Sequence, residues 1–180
     1  MKKLMMASAI AMAMTAGSAM ADVQQASQGQ VQFVGAVAAK TCDVVVSGDG
    51  AVSNQVQFGT VGVSGTSQKE FTVKLKDPTC IAGAARSAAA KANFTWSSPV
   101  LGENGFNNQS GTAKNAYVSM NAKASADNAA DRSDEITDVN NTVGFTISQA
   151  EKGFVYEATL HGGDTAGSFE TAASYTIAYE

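Results

Sequence analysis

The residues able to do covalent chemistry are few. His161 is the only histidine among 180 residues, so a multi-histidine metal site is excluded and a Ser-His-Asp triad would rest on it alone. It stands in the stretch TLHGG without a G-x-S-x-G elbow, and reads as a plain strand-end histidine. Carboxylates concentrate in residues 123–138, KASADNAADRSDEITD, but their spacing does not fit the calcium loop D-x-[DN]-x-[DN]-G-x5-E. That segment reads as an exposed, solvated insertion. The glycines of GDG (48–50) and GTVGVSG (59–65) lack both the Lys-Ser/Thr and the strand-to-helix setting of a phosphate loop. Trp96 shares a strand face with Phe94, where core packing is the default and sugar stacking the minority reading. Three Asn-x-Ser/Thr triplets, at Asn93, Asn108 and Asn140, have a spacing that is frequent by chance. The sequence therefore assigns no catalytic residue, no metal ligand and no cofactor.

Cys42 and Cys80 are the two cysteines. An even count in an exported chain reads as one disulfide, in preference to metal or thiol chemistry, because no histidine or further cysteine lies at ligand spacing. Closing a loop of this size stabilises by about 4 kcal/mol on the chain-entropy account. Export is the reading of residues 1–21. Lys2 and Lys3 form a positive start, residues 4–15 an apolar run rich in Met and Ala, and Ala19-Met20-Ala21 a small-residue cleavage site. The apolar run is shorter than the roughly 20 residues that a spanning helix needs. Cleavage after Ala21 would leave 159 residues, the size of one domain. It would also leave 10 basic against 16 acidic residues, a net charge of −6, which argues against nucleic acid or an anionic membrane surface as partner.

These sparse chemical groups must be carried by strands. Short alternating runs recur at residues 31–37, 42–46, 54–61, 70–76, 92–96, 116–122, 143–149 and 154–162, separated by clusters such as SGDG (47–50) and GENG (102–105). Seven to nine such strands imply an all-β sandwich. Residues 82–92, AGAARSAAAKA, have high helix propensity but no apolar stripe, and read as a loop with at most one helical turn.

The two ends carry the strongest pattern. Phe169, Thr171, Ala173, Tyr175, Ile177 and Tyr179 fall on one side of an extended chain, and the expectation is a last strand with no neighbour of its own. Near the start, Ser27, Gly29, Val31 and Phe33 alternate with glutamines, a second strand without a partner. An apolar groove and an unpaired edge are both aggregation hazards. Pairing one copy's first strand with another copy's last is head-to-tail, and head-to-tail contacts that do not close build fibres.

At this point the chain resembles the pilin subunits of bacterial chaperone–usher fimbriae. The resemblance rests on the cleavable start, on GQVQFVGAV running into Cys42, on FTVKLKDPTC closing at Cys80, and on Gly167 fourteenth from the end with Tyr179 penultimate. It implies an incomplete immunoglobulin-like β-sandwich that lacks its last strand and is completed by donor-strand complementation. Residues 22–34 would be the donor extension, with Ser27, Gly29, Val31 and Phe33 as its inward face, and residues 35–180 the pilin domain. Gly167, Phe169, Thr171, Ala173, Tyr175, Ile177 and Tyr179 would line the acceptor groove. The partners implied are identical or related pilin subunits, a periplasmic chaperone and an outer-membrane usher, with the finished fimbria on the bacterial surface. Having both donor and acceptor, the chain is expected to be a structural shaft subunit; the alternative is a subunit that itself binds a host receptor.

Overall fold

A computed structural model describes residues 42–52, 54–81 and 90–180; the leader and the donor residues Ser27, Gly29, Val31 and Phe33 lie outside them. The described residues fall in one compact unit, Ala38–Glu180. Twelve strands are described: β1 (Val44–Gly48), β2 (Ala51–Val52), β3 (Gln55–Val56), β4 (Thr66–Leu75), β5 (Lys91–Ser97), β6 (Leu101–Gly102), β7 (Gly105–Asn107), β8 (Tyr117–Ala122), β9 (Asn128–Ala130), β10 (Thr142–Ile147), β11 (Phe154–His161) and β12 (Ser174–Tyr179). Every pairing is antiparallel. One sheet runs β1-β4-β11-β8-β7-β6, the second β12-β5-β10-β9, and β2 with β3 makes a small separate hairpin.

The period-2 pattern decides which face of each strand is buried. In β11, Phe154, Tyr156, Ala158 and Leu160 point inward while Val155, Glu157, Thr159 and His161 point outward. In β5 the inward residues are Ala92, Phe94 and Trp96. Their rings interleave across the sandwich: Phe94 meets Phe154 edge-on at 5.0 Å between centroids and Trp96 meets Tyr156 at 5.2 Å, the geometry favoured by ring quadrupoles. Trp96 is thus a core residue, as its strand face implied. Cys42 and Cys80 are joined by a disulfide with the Cα atoms 5.8 Å apart, which ties the start of β1 to the 3-10 turn Pro78–Ile81 that follows β4. His161 ends β11, stacked on Tyr117 at 4.4 Å and hydrogen-bonded through Nε2 to Ser119 Oγ at 3.0 Å.

Three segments depart from the sequence expectation. The polar stretch 123–138 is not simply a solvated loop, because Asn128 and Ile136 are fully buried in it. The Asn128 amide saturates itself, accepting from the Ser148 and Gln149 N–H groups and donating to the Gln149 and Gly153 carbonyls, so a polar side chain enters the interior without an unmet group. The turn cluster 102–105 is a turn as expected, closing the β6–β7 hairpin with Gly102 opposite Gly105. Residues 54–61 form a strand only at 55–56. The C-terminal alternation runs from Phe169, but ladder pairing begins only at Ser174, and the last strand is not without a neighbour: it pairs with β5 from Ser174 to Tyr179, leaving only its other edge unpaired among the described residues. Of the alanine-rich stretch 82–92, residues 82–89 lie outside those described, and its last two open β5.

Candidate functional site: an open groove between two sheet edges

The ladder register fixes where β12 exposes its backbone. Glu180 and Lys91 exchange two hydrogen bonds, at 3.0 and 2.9 Å. Hydrogen-bonded pairs recur at every second residue of an antiparallel ladder, so Ala178, Thr176 and Ser174 likewise face Asn93, Thr95 and Ser97 of β5. Tyr175, Ile177 and Tyr179 therefore turn their N–H and C=O groups to the other side, where no described strand pairs with them. The same three residues turn their side chains inward, half-buried, while Ser174, Thr176 and Ala178 are exposed. Tyr175 lies 4.8 Å from Trp96 and 5.9 Å from Phe94 between ring centroids.

Ahead of β12, residues 167–173 continue the alternation without a ladder. They are held instead by the loop between β7 and β8. The Gln109 N–H reaches the Glu170 carbonyl at 2.8 Å, the Ala113 N–H reaches the Ser168 carbonyl at 3.0 Å, and Thr112 Oγ1 accepts the Ser168 N–H at 3.1 Å. Approach here is so close that a Cβ on Gly167 would fall 2.5 Å from both Ala113 N and Thr112 Oγ1. Glycine at 167 answers to space.

Between this segment and the first sheet opens a groove of about 970 Å³. Gly167, Phe169, Thr171, Ala173 and Tyr175 line one wall, and Val46 of β1 with Val56, Phe58 and Val61 lines the other. Phe71, Trp96, Phe106, Met120 and Leu160 contribute to its lining from the two sheets. The groove thus brings together five of the seven residues expected from the C-terminal alternation. Ile177 and Tyr179 continue the same face beyond it, packed half-buried against the core. Sequence reading missed the opposite wall. Its signal was present in the apolar alternation of Val56 and Phe58, but nothing in the sequence says that a strand-like run will lie unpaired beside a gap.

The electrostatics are those of a largely apolar site. Burial raises the phenol pKa of Tyr175 and pushes that of Tyr179 up to about 12, with the neighbouring Tyr175 adding to the latter. Thr171 Oγ1 and the Tyr179 hydroxyl are buried without a hydrogen-bond partner. Among the described residues no group of histidine, cysteine and carboxylate side chains could hold a metal ion, and no helix is long and apolar enough to cross a membrane.

The architecture is that of an all-β sandwich with an apolar groove and, among the described residues, an unpaired sheet edge along one side. The chain belongs to the fimbrial proteins: it is 39% identical over 181 residues, the full length of both chains, to the F107 fimbrial protein of Escherichia coli. Its similarity to a chain from the structure of a chaperone–usher pilus is 16% in sequence with a TM-score of 0.46, over 86% of this chain and 96% of that one. No family model matches the sequence. As a fimbrial protein it is an exported structural subunit of a surface fimbria.

Proposed function

We propose that the protein is a polymerising shaft subunit, without catalytic function, whose groove takes up the N-terminal extension of another copy by donor-strand exchange. The observation that carries this reading is the coincidence along β12 of an apolar inward face with backbone groups that face an open edge at Tyr175, Ile177 and Tyr179. An extended chain laid there would add main-chain hydrogen bonds to β12 and send alternate side chains into the groove. The extension around Ser27, Gly29, Val31 and Phe33 has that alternation. Each buried Val or Phe side chain contributes about 1.5–3 kcal/mol. Before exchange, the exposed groove requires a cover, which we assign to a periplasmic chaperone, with an outer-membrane usher as the site of exchange.

Deleting residues 22–32 tests this. The truncated subunit should still form its disulfide and a chaperone complex, since the groove is intact, and should give no ladder of oligomers on unheated gels. A truncated subunit that still polymerises would refute the proposal.

A further inference from the structure

Two sheet edges flank the groove, and they differ in one respect. Just before β1 the Asp43 carbonyl accepts from the Lys76 N–H at 2.9 Å, and just after it the Asp49 N–H donates to the Glu70 carbonyl at 3.1 Å. Alternation along this ladder means that Asp43, Val45, Ser47 and Asp49 face β4, while Val44, Val46 and Gly48 direct their backbone groups to the edge that no described strand pairs with. That edge is a second place where an incoming strand could pair. It is occupied at its middle. Asn54 Oδ1 accepts the Val46 N–H at 3.1 Å, and Asn54 and Val46 both line the groove.

Asn54 reaches this position because it sits in the turn of the β2–β3 hairpin, at φ 65, in the left-handed region where Asn is enriched several-fold over other non-glycine residues. The hairpin is tied at its base by a bond from the Gln57 N–H to the Gly50 carbonyl at 2.9 Å. Along β12 no described side chain caps Tyr175, Ile177 or Tyr179 in the same way. Native sheets protect an edge by covering it; among the described residues the β1 edge is capped at Val46 by Asn54, and the β12 edge has no such cap.

We propose that Asn54 is a specificity-determining residue for assembly: its side chain closes the β1 edge to incoming strands and thereby commits the groove to strand addition along β12. The inference rests on the donor-strand reading above, which already places the incoming strand along β12, and goes beyond it by naming the residue that blocks the β1 edge.

Hydrogen exchange on assembled full-chain fibres tests it, read at single amides after the fibres are dissolved under quench conditions. In wild-type fibres the amides of Tyr175, Ile177 and Tyr179 should exchange at least about tenfold more slowly than that of Val44. Asn54→Gly removes the cap without straining the turn, and should slow the Val44 amide by about tenfold as strands add at the opened edge. Asn54→Asp keeps an acceptor oxygen in place and should match wild type. Wild-type fibres in which Val44 is as protected as Ile177, or Asn54→Gly fibres with an unchanged Val44 rate, would overturn the role of Asn54 while leaving donor-strand assembly standing. Fast exchange at Tyr175, Ile177 and Tyr179 in wild-type fibres would overturn both. If Asn54→Gly yields no fibres, the wild-type comparison of Val44 with Ile177 still decides.

Discussion

Asn108 Oδ1 accepts the backbone N–H of Glu170, 62 positions further along the chain, at 3.0 Å. The same oxygen accepts the Gly111 N–H at 3.0 Å, and Nδ2 donates to the Ala113 carbonyl at 2.8 Å and the Ser168 carbonyl at 3.2 Å. One amide thus fastens the wall of the groove to the loop between β7 and β8. Asn108→Ala should cost about 1–3 kcal/mol, because backbone groups lose their partner together. Asn108→Asp, which keeps the two accepted bonds and loses the two donated ones, should fall between. Urea unfolding of the disulfide-intact subunit gives the order; an Ala variant equal to wild type would show that the wall holds itself.

Phe169 lines the groove and packs on the core, whereas Thr176 points to solvent from the outer face of β12. Phe169→Lys would set an ammonium group against any strand entering the groove, at a cost of several kcal/mol once it is desolvated. Assembled fibre should be lost in that variant and retained in Thr176→Lys. Purified surface fibre from each strain, quantified against wild type, checks the contrast, and equal yields would mean that the inward face has been misassigned.

In the donor, Gly29 stands in the alternating run where Val31 and Phe33 carry bulk. If this position passes through a tight part of the groove, Gly29→Leu overpacks it by roughly 1–3 kcal/mol. The expected result is slower growth of the oligomer ladder from chaperone-bound subunits. Unchanged kinetics would place Gly29 in open space.

Tyr179 links the site to pH. Burial raises its phenol pKa from 10.0 to about 12, so the folded state holds the proton more tightly than the unfolded chain does. The corresponding stability is fully present below pH 10 and declines as pH rises from about 10 to about 12. Since the hydroxyl has no partner, Tyr179→Phe should cost little at neutral pH, and its stability should fall less than that of wild type across that interval. Thermal unfolding from pH 8 to pH 12 measures both; identical alkaline profiles would mean that Tyr179 titrates in the folded protein as it does in the unfolded chain.

Much of the fold is legible in the sequence because strand alternation is a local property. The inward face of β11 and of β5 can be read from residue order, as can the disulfide, since two cysteines in an exported chain leave one pairing. The inward face of the C-terminal run from Phe169 to Tyr179 follows in the same way, though only Ser174–Tyr179 of it is a laddered strand. What alternation cannot supply is which neighbour each strand acquires. Residues 54–61 alternate like a strand but make a ladder only at 55–56, because that outcome depends on a partner and not on their own pattern. Asn128 looks like a loop residue until four backbone groups distant in sequence converge on its amide. The capping of Val46 by Asn54 and the fastening of Glu170 by Asn108 are likewise set by tertiary approach, since a hydrogen bond needs its two atoms within about 3 Å and sequence separation says nothing of that distance. The sequence by itself determined most of the long strands, their buried faces and the cysteine pair, but not the short strands β6, β7 and β9; only the tertiary structure decided which edge, among the described residues, stays unpaired beside the groove, because pairing depends on a neighbour and not on a strand's own pattern.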